Sequence, residues 1–205
     1  MRVTKYFIVV FFSFFVTILP ASDKVAIAVL EFQNRSKGAV RYNGTDMAAW
    51  MSNDLKRLDR FEPYDRKAVA KIVKGAKWLE DRLSPEDEAK LLVLPAKYAL
   101  YGSIVDWRSS IDSSSTGTGI SPRMRTKEVI PGVVVILHFE LVDLSTGKSV
   151  KSFESEGSGE VTTRSSGPPE GWAQIEQELA DFDRTFEEAC KASIRKAANR
   201  LSNDE

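Results

Sequence analysis

The sequence predicts an α+β domain in which helices pack on a mixed sheet of about five strands, with a long C-terminal helix closing the fold. Three segments predict this class. Lys24–Phe32 is a short apolar run rich in valine and alanine, which is typical of a buried strand. Val133–Leu144 carries an apolar residue at every second position, the period of a strand with one face on the core. Between Ile175 and Leu201, apolar residues recur at spacings of three and four, which is typical of one long amphipathic helix.

The first 21 residues have the three parts of an export signal. Arg2 and Lys5 supply positive charge, Tyr6–Leu19 is an apolar run, and Pro20 and Ala21 precede a cleavage point. A membrane-spanning helix needs about 20 apolar residues, so the run favours a cleaved signal peptide over a retained anchor. We therefore expect residues 1–21 to be removed and residues 22–205 to form a single soluble domain. No cysteine directly follows the apolar run, so we expect no lipid attachment there.

The charge balance argues against nucleic acid as a partner. The whole chain has 29 Lys and Arg against 29 Asp and Glu. Because Arg2 and Lys5 lie in the export segment, residues 22–205 carry 27 basic and 29 acidic residues, a net charge of −2. A nucleic-acid-binding domain usually shows a strong basic excess and a recognisable reading motif. We find neither in this sequence.

The region between the first strand and Pro95 reads as helices separated by short extended pieces. Thr45 or Asp46 is placed to cap a helix that runs to about Asp59. Arg60–Asp65 alternates apolar with polar residues and predicts an edge strand that tolerates Pro63. Asp65 can cap a second helix, Arg66–Gly75, and Ser84 with Pro85 starts a third that ends near Leu94. The segment Trp78–Leu83 between them is ambiguous.

The second half begins with a predicted meander. Tyr98–Trp107 is rich in aromatic and β-branched residues and pairs most simply with Val133–Leu144 as antiparallel strands. Their connection, Arg108–Gly132, has about 25 residues where hairpin loops usually have two to five, so it is either functional or disordered. Ser149–Glu156 predicts a returning strand, and Gly157–Gly171 predicts a second long loop.

The strand Val133–Leu144 presents two different faces. Its odd positions are continuously apolar, which predicts packing on the core. Its even positions include Val134, Ile136, His138 and Glu140 and are only half apolar. Such a face lies either against helices or against another subunit, and the sequence leaves both alternatives open.

The inventory of reactive residues predicts a protein that is not an enzyme and holds no cofactor. The single histidine, His138, lies mid-strand between apolar residues and is expected to be structural. The single cysteine, Cys190, lies on the apolar face of the last helix, where a buried and inert thiol is expected. One histidine and one distant cysteine make no metal pattern. Gly157-Ser158-Gly159 is not followed by the Lys and Ser or Thr of a nucleotide-binding loop.

One segment of the Arg108–Gly132 connection is a candidate for partner binding. Arg123, Arg125 and Lys127 form a short basic stretch next to apolar residues. Segments of this kind can dock on an acidic protein surface or on lipid headgroups. The alternative is a solvated loop arm with no partner.

Four stretches resemble the CsgG family, which is named for the curli secretion channel of the bacterial outer membrane. They are Val25–Phe32 followed by Asn34, Asp54–Arg66, Ala96–Ile104 and Leu141–Lys148. Their order and spacing cover most of the chain after the export segment. The resemblance implies an α/β domain similar to the amino-terminal domain of TolB, a location in the periplasm, and a role in envelope biogenesis or secretion.

The same resemblance implies the partners. They are other envelope or secretion proteins, and a further copy of the chain where members of the family assemble into rings. Channel members of the family carry amphipathic membrane strands in their two long connections. Here neither connection alternates apolar with polar residues, so we expect peripheral membrane association at most, at the outer membrane if anywhere. A protein-interaction or assembly module is the favoured function; an oligomeric secretion-channel subunit and an activator of a peptidoglycan synthase are the alternatives.

Overall fold

The computed structural model describes residues 24–37, 43–80, 82–110, 132–160 and 172–203, with residues 110, 172–179 and 181 described by backbone alone. These residues form a mixed sheet with helices on both faces, as the sequence predicts. The elements in chain order are β1 (Val25–Val29), β2 (Gln33–Asn34), α1 (Gly44–Arg57), β3 (Phe61–Pro63), α2 (Arg66–Ile72), β4 (Trp78–Leu79), β5 (Arg82–Leu83), α3 (Pro85–Ala89), β6 (Tyr98–Ser110), β7 (Gly132–Asp143), β8 (Lys148–Gly159) and α4 (Trp172–Asn203).

The main sheet has the strand order β3-β1-β6-β7-β8, and β2 extends it as a second partner of β6. β1 runs parallel to both β3 and β6, whereas β6, β7 and β8 form an antiparallel meander. The predicted antiparallel pairing of the two longest strands is therefore confirmed. The short strands β4 and β5 pair as a separate hairpin and resolve the segment that the sequence left ambiguous.

Two apolar layers hold the sheet. On one face, α1 and α4 bury side chains such as Met51 and Ile194 against the odd positions of β7, including Leu137 and Phe139. On the other face, α2, the β4–β5 hairpin and the 3₁₀ turn Lys90–Val93 after α3 cover β1, the first half of β6 and the end of β7. The even positions of β7 that lie beyond this cover, Val134, Ile136 and His138, are only half-buried.

Local signals decide most helix boundaries, and one predicted cap is wrong. Asn43, rather than Thr45 or Asp46, caps α1: its side-chain oxygen accepts from both of their backbone N–H groups. Asp65 caps α2 by accepting from Lys67 N, as predicted, although the helix ends at Ile72 and not at Gly75. Ser84 caps α3, because its hydroxyl oxygen accepts a hydrogen bond from the backbone N–H of Asp87.

The long connections are shorter than predicted. β6 continues to Ser110, so residues 111–131 join it to β7. β8 continues to Gly159, although the sequence assigned Gly157 and its neighbours to a loop. Those glycines lie under α4, where an added Cβ would come within 2.0 Å of Ala189 O at Gly157 and 2.1 Å of Thr185 O at Gly159. The sheet continues there because glycine lets the helix backbone approach it closely.

Candidate partner-binding cleft

The predicted interaction residues Arg123, Arg125 and Lys127 lie outside the described residues. The export segment and its cleavage point lie outside them too. The partner-binding role of the three basic residues and the removal of residues 1–21 stay predictions.

The single histidine and the single cysteine of the sequence are both held by contacts within the fold. His138 lies on the half-buried face of β7, where its Nε2 is 2.8 Å from Ser152 Oγ on β8. Cys190 is 1% exposed, and burial raises the pKa of its thiol to about 12. A thiol held in its protonated form is a poor nucleophile. Within the described ranges, no three histidine, cysteine, aspartate or glutamate side chains are grouped to hold a metal ion.

A cleft with mostly apolar walls lies where the β4–β5 hairpin, α3 and the β7–β8 turn meet. Its volume is about 590 Å³, and buried Leu83 and Leu144 belong to its lining. Its other lining residues are Leu79, Arg82, Pro85, Glu88, Ala89, Leu92 and Gly147. A cleft of this size, with mostly apolar walls, accommodates the side chains of a binding partner.

Exposed apolar side chains are concentrated at this cleft. Across the residues that the structure describes, four large apolar side chains are strongly exposed; two line this cleft, and a third directly follows one of those two in the chain. They are Leu79 at 47%, Leu92 at 57% and Val93 at 76%, whereas the fourth, Val150, lies on β8. Clustered apolar exposure with a polar rim marks interaction surfaces in soluble proteins.

The turn that follows α3 explains why Leu92 and Val93 face outward. Residues Lys90–Val93 form a 3₁₀ helix, in which side chains three apart lie on the same side. Leu91 and Leu94 are therefore both buried, at 0% and 7% exposure, and the two residues between them are exposed. The sequence interpretation missed this surface. The run of four apolar residues from Leu91 to Leu94 could have indicated it. One face of a surface helix cannot bury four consecutive side chains, so some of them must be exposed.

Arg82 links the elements that line the cleft to the main sheet. Its Nη2 lies 2.9 Å from both carboxylate oxygens of Glu88 on α3, and its Nη1 lies 3.3 Å from Glu140 Oε1 on β7. Nη2 also lies 3.3 Å from the carbonyl oxygen of Gly147, in the β7–β8 turn. The guanidinium stacks over the ring of Tyr101, 5.7 Å from its centroid. One planar cation thus joins α3, two sheet strands and a turn, and sets the shape of the cleft.

Burial and ion pairing fix the charge states of the side chains around Arg82. The Tyr101 ring is buried, and burial together with the nearby Glu88 carboxylate raises the pKa of its hydroxyl above the usual range. The hydroxyl therefore stays protonated at neutral pH. Arg82 is occupied by two carboxylates, and no serine, cysteine or histidine belongs to the lining. The arrangement can bind apolar groups, and the carboxylate in its lining, Glu88, is paired with Arg82.

The fold and the cleft define a mixed α/β domain with an apolar binding surface, and sequence comparison identifies its family. The sequence model described as curli production assembly/transport component CsgG matches residues 15–205. The chain therefore belongs to the CsgG family, and the predicted resemblance is confirmed. A comparison with curated proteins gives no match. No helix in the described parts of the chain combines the length and the apolar character needed to cross a bilayer.

Several solved structures align with this chain at low sequence identity. The hypothetical protein CT253 from Chlamydia trachomatis aligns over 87% of this chain and 96% of its own, with 14% identity and a TM-score of 0.51. The PelC dodecamer from Paraburkholderia phytofirmans aligns over 84% and 85%, with 18% identity and a TM-score of 0.40. The LpoB C-terminal domain from Salmonella enterica aligns over 68% and 83%, with 19% identity and a TM-score of 0.37. The likeness to the first of these shows a common fold.

Proposed function

We propose that this protein is a non-enzymatic interaction or assembly module of the bacterial cell envelope, acting in envelope biogenesis or secretion. It is exported by a cleaved signal peptide, works in the periplasm without a lipid anchor, and binds another envelope or secretion protein. Membership of a family described as an assembly and transport component supports the general role. The apolar cleft carries the proposal, because its lining residues Leu79 and Leu92 stay exposed, as does the adjacent Val93, where burial would be favourable.

The partner supplies one or more apolar side chains to the cleft. Its lining is more apolar than polar, and the charges at its rim, Arg82 and Glu88, neutralise each other. A strongly charged ligand therefore gains little there. An apolar side chain that enters the cleft covers Leu92 and buries apolar area on both partners.

A charge substitution at the cleft tests the proposal. A variant with both Leu92→Glu and Val93→Glu places two carboxylates on the exposed apolar surface and changes no buried residue. We expect this variant to keep the thermal midpoint within a few degrees of the original, because both residues are exposed. The envelope protein that the unmodified chain captures should no longer be retained, and its purified form should bind at least tenfold more weakly.

Val150→Glu is the matched control. Val150 is 55% exposed, close to the value for Leu92, but lies on β8 and is not part of the cleft's lining. It should bind the same purified partner as tightly as the unmodified chain. Equal binding by all three proteins would show that the cleft is not the interaction surface, and hydrolysis or transfer of a substrate by the purified protein would contradict the non-enzymatic role.

A further inference from the structure

A second cavity lies at the C-terminal end of β1, where Val29 and Glu31 belong to its lining. β1 is flanked by parallel strands, with β3 on one side and β6 on the other. The connection to β3 passes through α1 on one face of the sheet, and the connection from β3 to β6 includes α2 on the opposite face. The strand order thus reverses beside β1. In open α/β sheets, ligands bind in the crevice at such a reversal, outside the carboxyl ends of the strands.

This cavity has an apolar floor and a charged rim. Its volume is about 320 Å³, and it lies among β1, α1 and α2. Val29, Ala48 and Val69 contribute to the lining and are each at most 3% exposed. The charged residues of the lining are Glu31, Arg66 and Lys74. Two cations therefore face one carboxylate around a hydrophobic floor.

The two cations are available to a ligand. Arg66 donates a hydrogen bond from Nη2 to the carbonyl oxygen of Thr45, which fixes its guanidinium between α2 and the start of α1. A guanidinium has five N–H donors, so this bond leaves others unused. None of the ion pairs found among the described residues includes Arg66 or Lys74.

We propose that this cavity binds the carboxylate of a ligand that also carries a small apolar group. The apolar group packs on Val29, Ala48 and Val69, and the carboxylate pairs with Arg66 and Lys74. Glu31 selects against dicarboxylates, because a second negative charge meets a like charge on the rim. Either a free apolar acid or the C-terminal residue of a peptide supplies this chemistry. The site is separate from the partner-binding cleft and does not depend on it.

Titration of the isotopically labelled protein with N-acetyl-leucine, followed by NMR, tests the proposal. Saturable shifts should appear in the backbone amides of Val69, Ala70, Val73 and Gly75, which line the cavity. N-acetyl-leucinamide, which has the same apolar group without the carboxylate, should bind at least threefold more weakly. N-acetyl-Ala-Ala-Leu distinguishes the two sources. Tighter binding than N-acetyl-leucine indicates a peptide terminus, and equal or weaker binding indicates a free acid.

Substitution of one cation separates recognition from folding. Lys74→Gln removes an exposed charge that makes no hydrogen bond or ion pair in the described structure, so it should fold normally and bind N-acetyl-leucine at least threefold more weakly. Lys71→Gln removes a neighbouring exposed charge on α2 that is not part of the lining, and it should leave binding unchanged. Equal affinity for the acid and the amide, equal losses in the two variants, or no saturable shift at these amides would each overturn the proposal.

Discussion

Gly102 on β6 lies directly against the ring of Phe32. A Cβ added at Gly102 would lie 2.4 Å from Phe32 Cε1, far inside normal contact distance. Phe32 is fully buried, and its ring packs edge-on against Phe139 with centroids 5.7 Å apart. A glycine inside an otherwise strong strand usually marks a close approach of this kind, so the sequence can point to Gly102. It cannot name Phe32 as the neighbour, since that depends on how β1 and β2, on either side of Phe32, pair with β6.

We predict that Gly102→Ala lowers the free energy of unfolding by about 2 kcal/mol, because the added methyl group overpacks the core. Phe32→Leu should also destabilise the domain, by leaving a cavity beside Phe139. The double variant should lose less than the two single losses combined, by at least about 0.5 kcal/mol, because the smaller side chain accommodates the methyl group. Urea unfolding of the four proteins measures this coupling. Strictly additive losses would show that the two positions do not compete for the same space.

At the scale of the elements, periodicity and capping residues locate the strands and helices well, and tertiary contacts decide their ends. Asp65, Ser84 and Pro85 mark helix starts because their effects are local. The end of β8 is different. Glycine and serine disfavour strands, so Gly157 suggests a loop, yet α4 packs on it closely enough to require glycine. That contact joins residues more than 30 positions apart in the sequence, and local pattern carries no sign of it.

The start of α3 is tied to the β4–β5 hairpin by Asp87. Its carboxylate accepts from the Lys90 ammonium, from the backbone N–H of Lys77 at 2.8 Å and from the Ser84 hydroxyl at 2.9 Å. These donors, the Lys90 ammonium foremost, lower the pKa of Asp87 to about 2. Both flanks of the partner-binding cleft thus depend on one ionised side chain.

We predict that protonation of Asp87 lowers the stability of the domain as the pH falls below about 4. Its pKa is lower in the folded state than the ordinary value of about 3.9 in an unfolded chain, so its contribution is complete above about pH 4 and is lost as the pH falls toward 2. Thermal midpoints measured between pH 7 and pH 2 should fall less steeply below pH 4 for Asp87→Asn than for the original protein.

Glu86→Gln is the control for this titration. Glu86 is an exposed acid in the same first turn of α3. Removing the charge of Glu86 should leave the steep fall of the thermal midpoint below pH 4 unchanged. If Asp87→Asn follows the same curve as the original protein, the carboxylate does not stabilise this junction.

At the scale of the whole molecule, both edges of the main sheet are protected from pairing with further strands. β3 has three residues and ends in Pro63, which cannot donate to another strand. Along β8, α4 donates from Ser193 Oγ to Ser155 O and from Lys196 Nζ to Glu156 O. These contacts occupy backbone groups of the strand, so partners are expected to bind through side-chain surfaces rather than by strand addition.

The architecture follows from the sequence far better than the candidate site does. Apolar residues alternate with polar ones in β7 and recur at spacings of three and four in α4. These patterns predict the layers, because each element must bury its apolar side. The cleft depends on where α3 and a hairpin of two-residue strands rest on the sheet, and on Arg82 reaching Glu140 from 58 positions away. The same placement leaves Val134 and Ile136 half-buried, so the second alternative for this face, contact with another subunit, stays a prediction.

Photocrosslinking in intact cells tests most directly whether the cleft binds an envelope partner. Benzoylphenylalanine replaces Leu92 in one variant and Val150 in the other, both of which expose their side chains. We predict that irradiation links the first variant to a discrete envelope protein, that the second gives no such product, and that adding Val93→Glu to the first abolishes it. Absence of a product from position 92, or the same product from both positions, would contradict the assignment of this cleft as the binding surface.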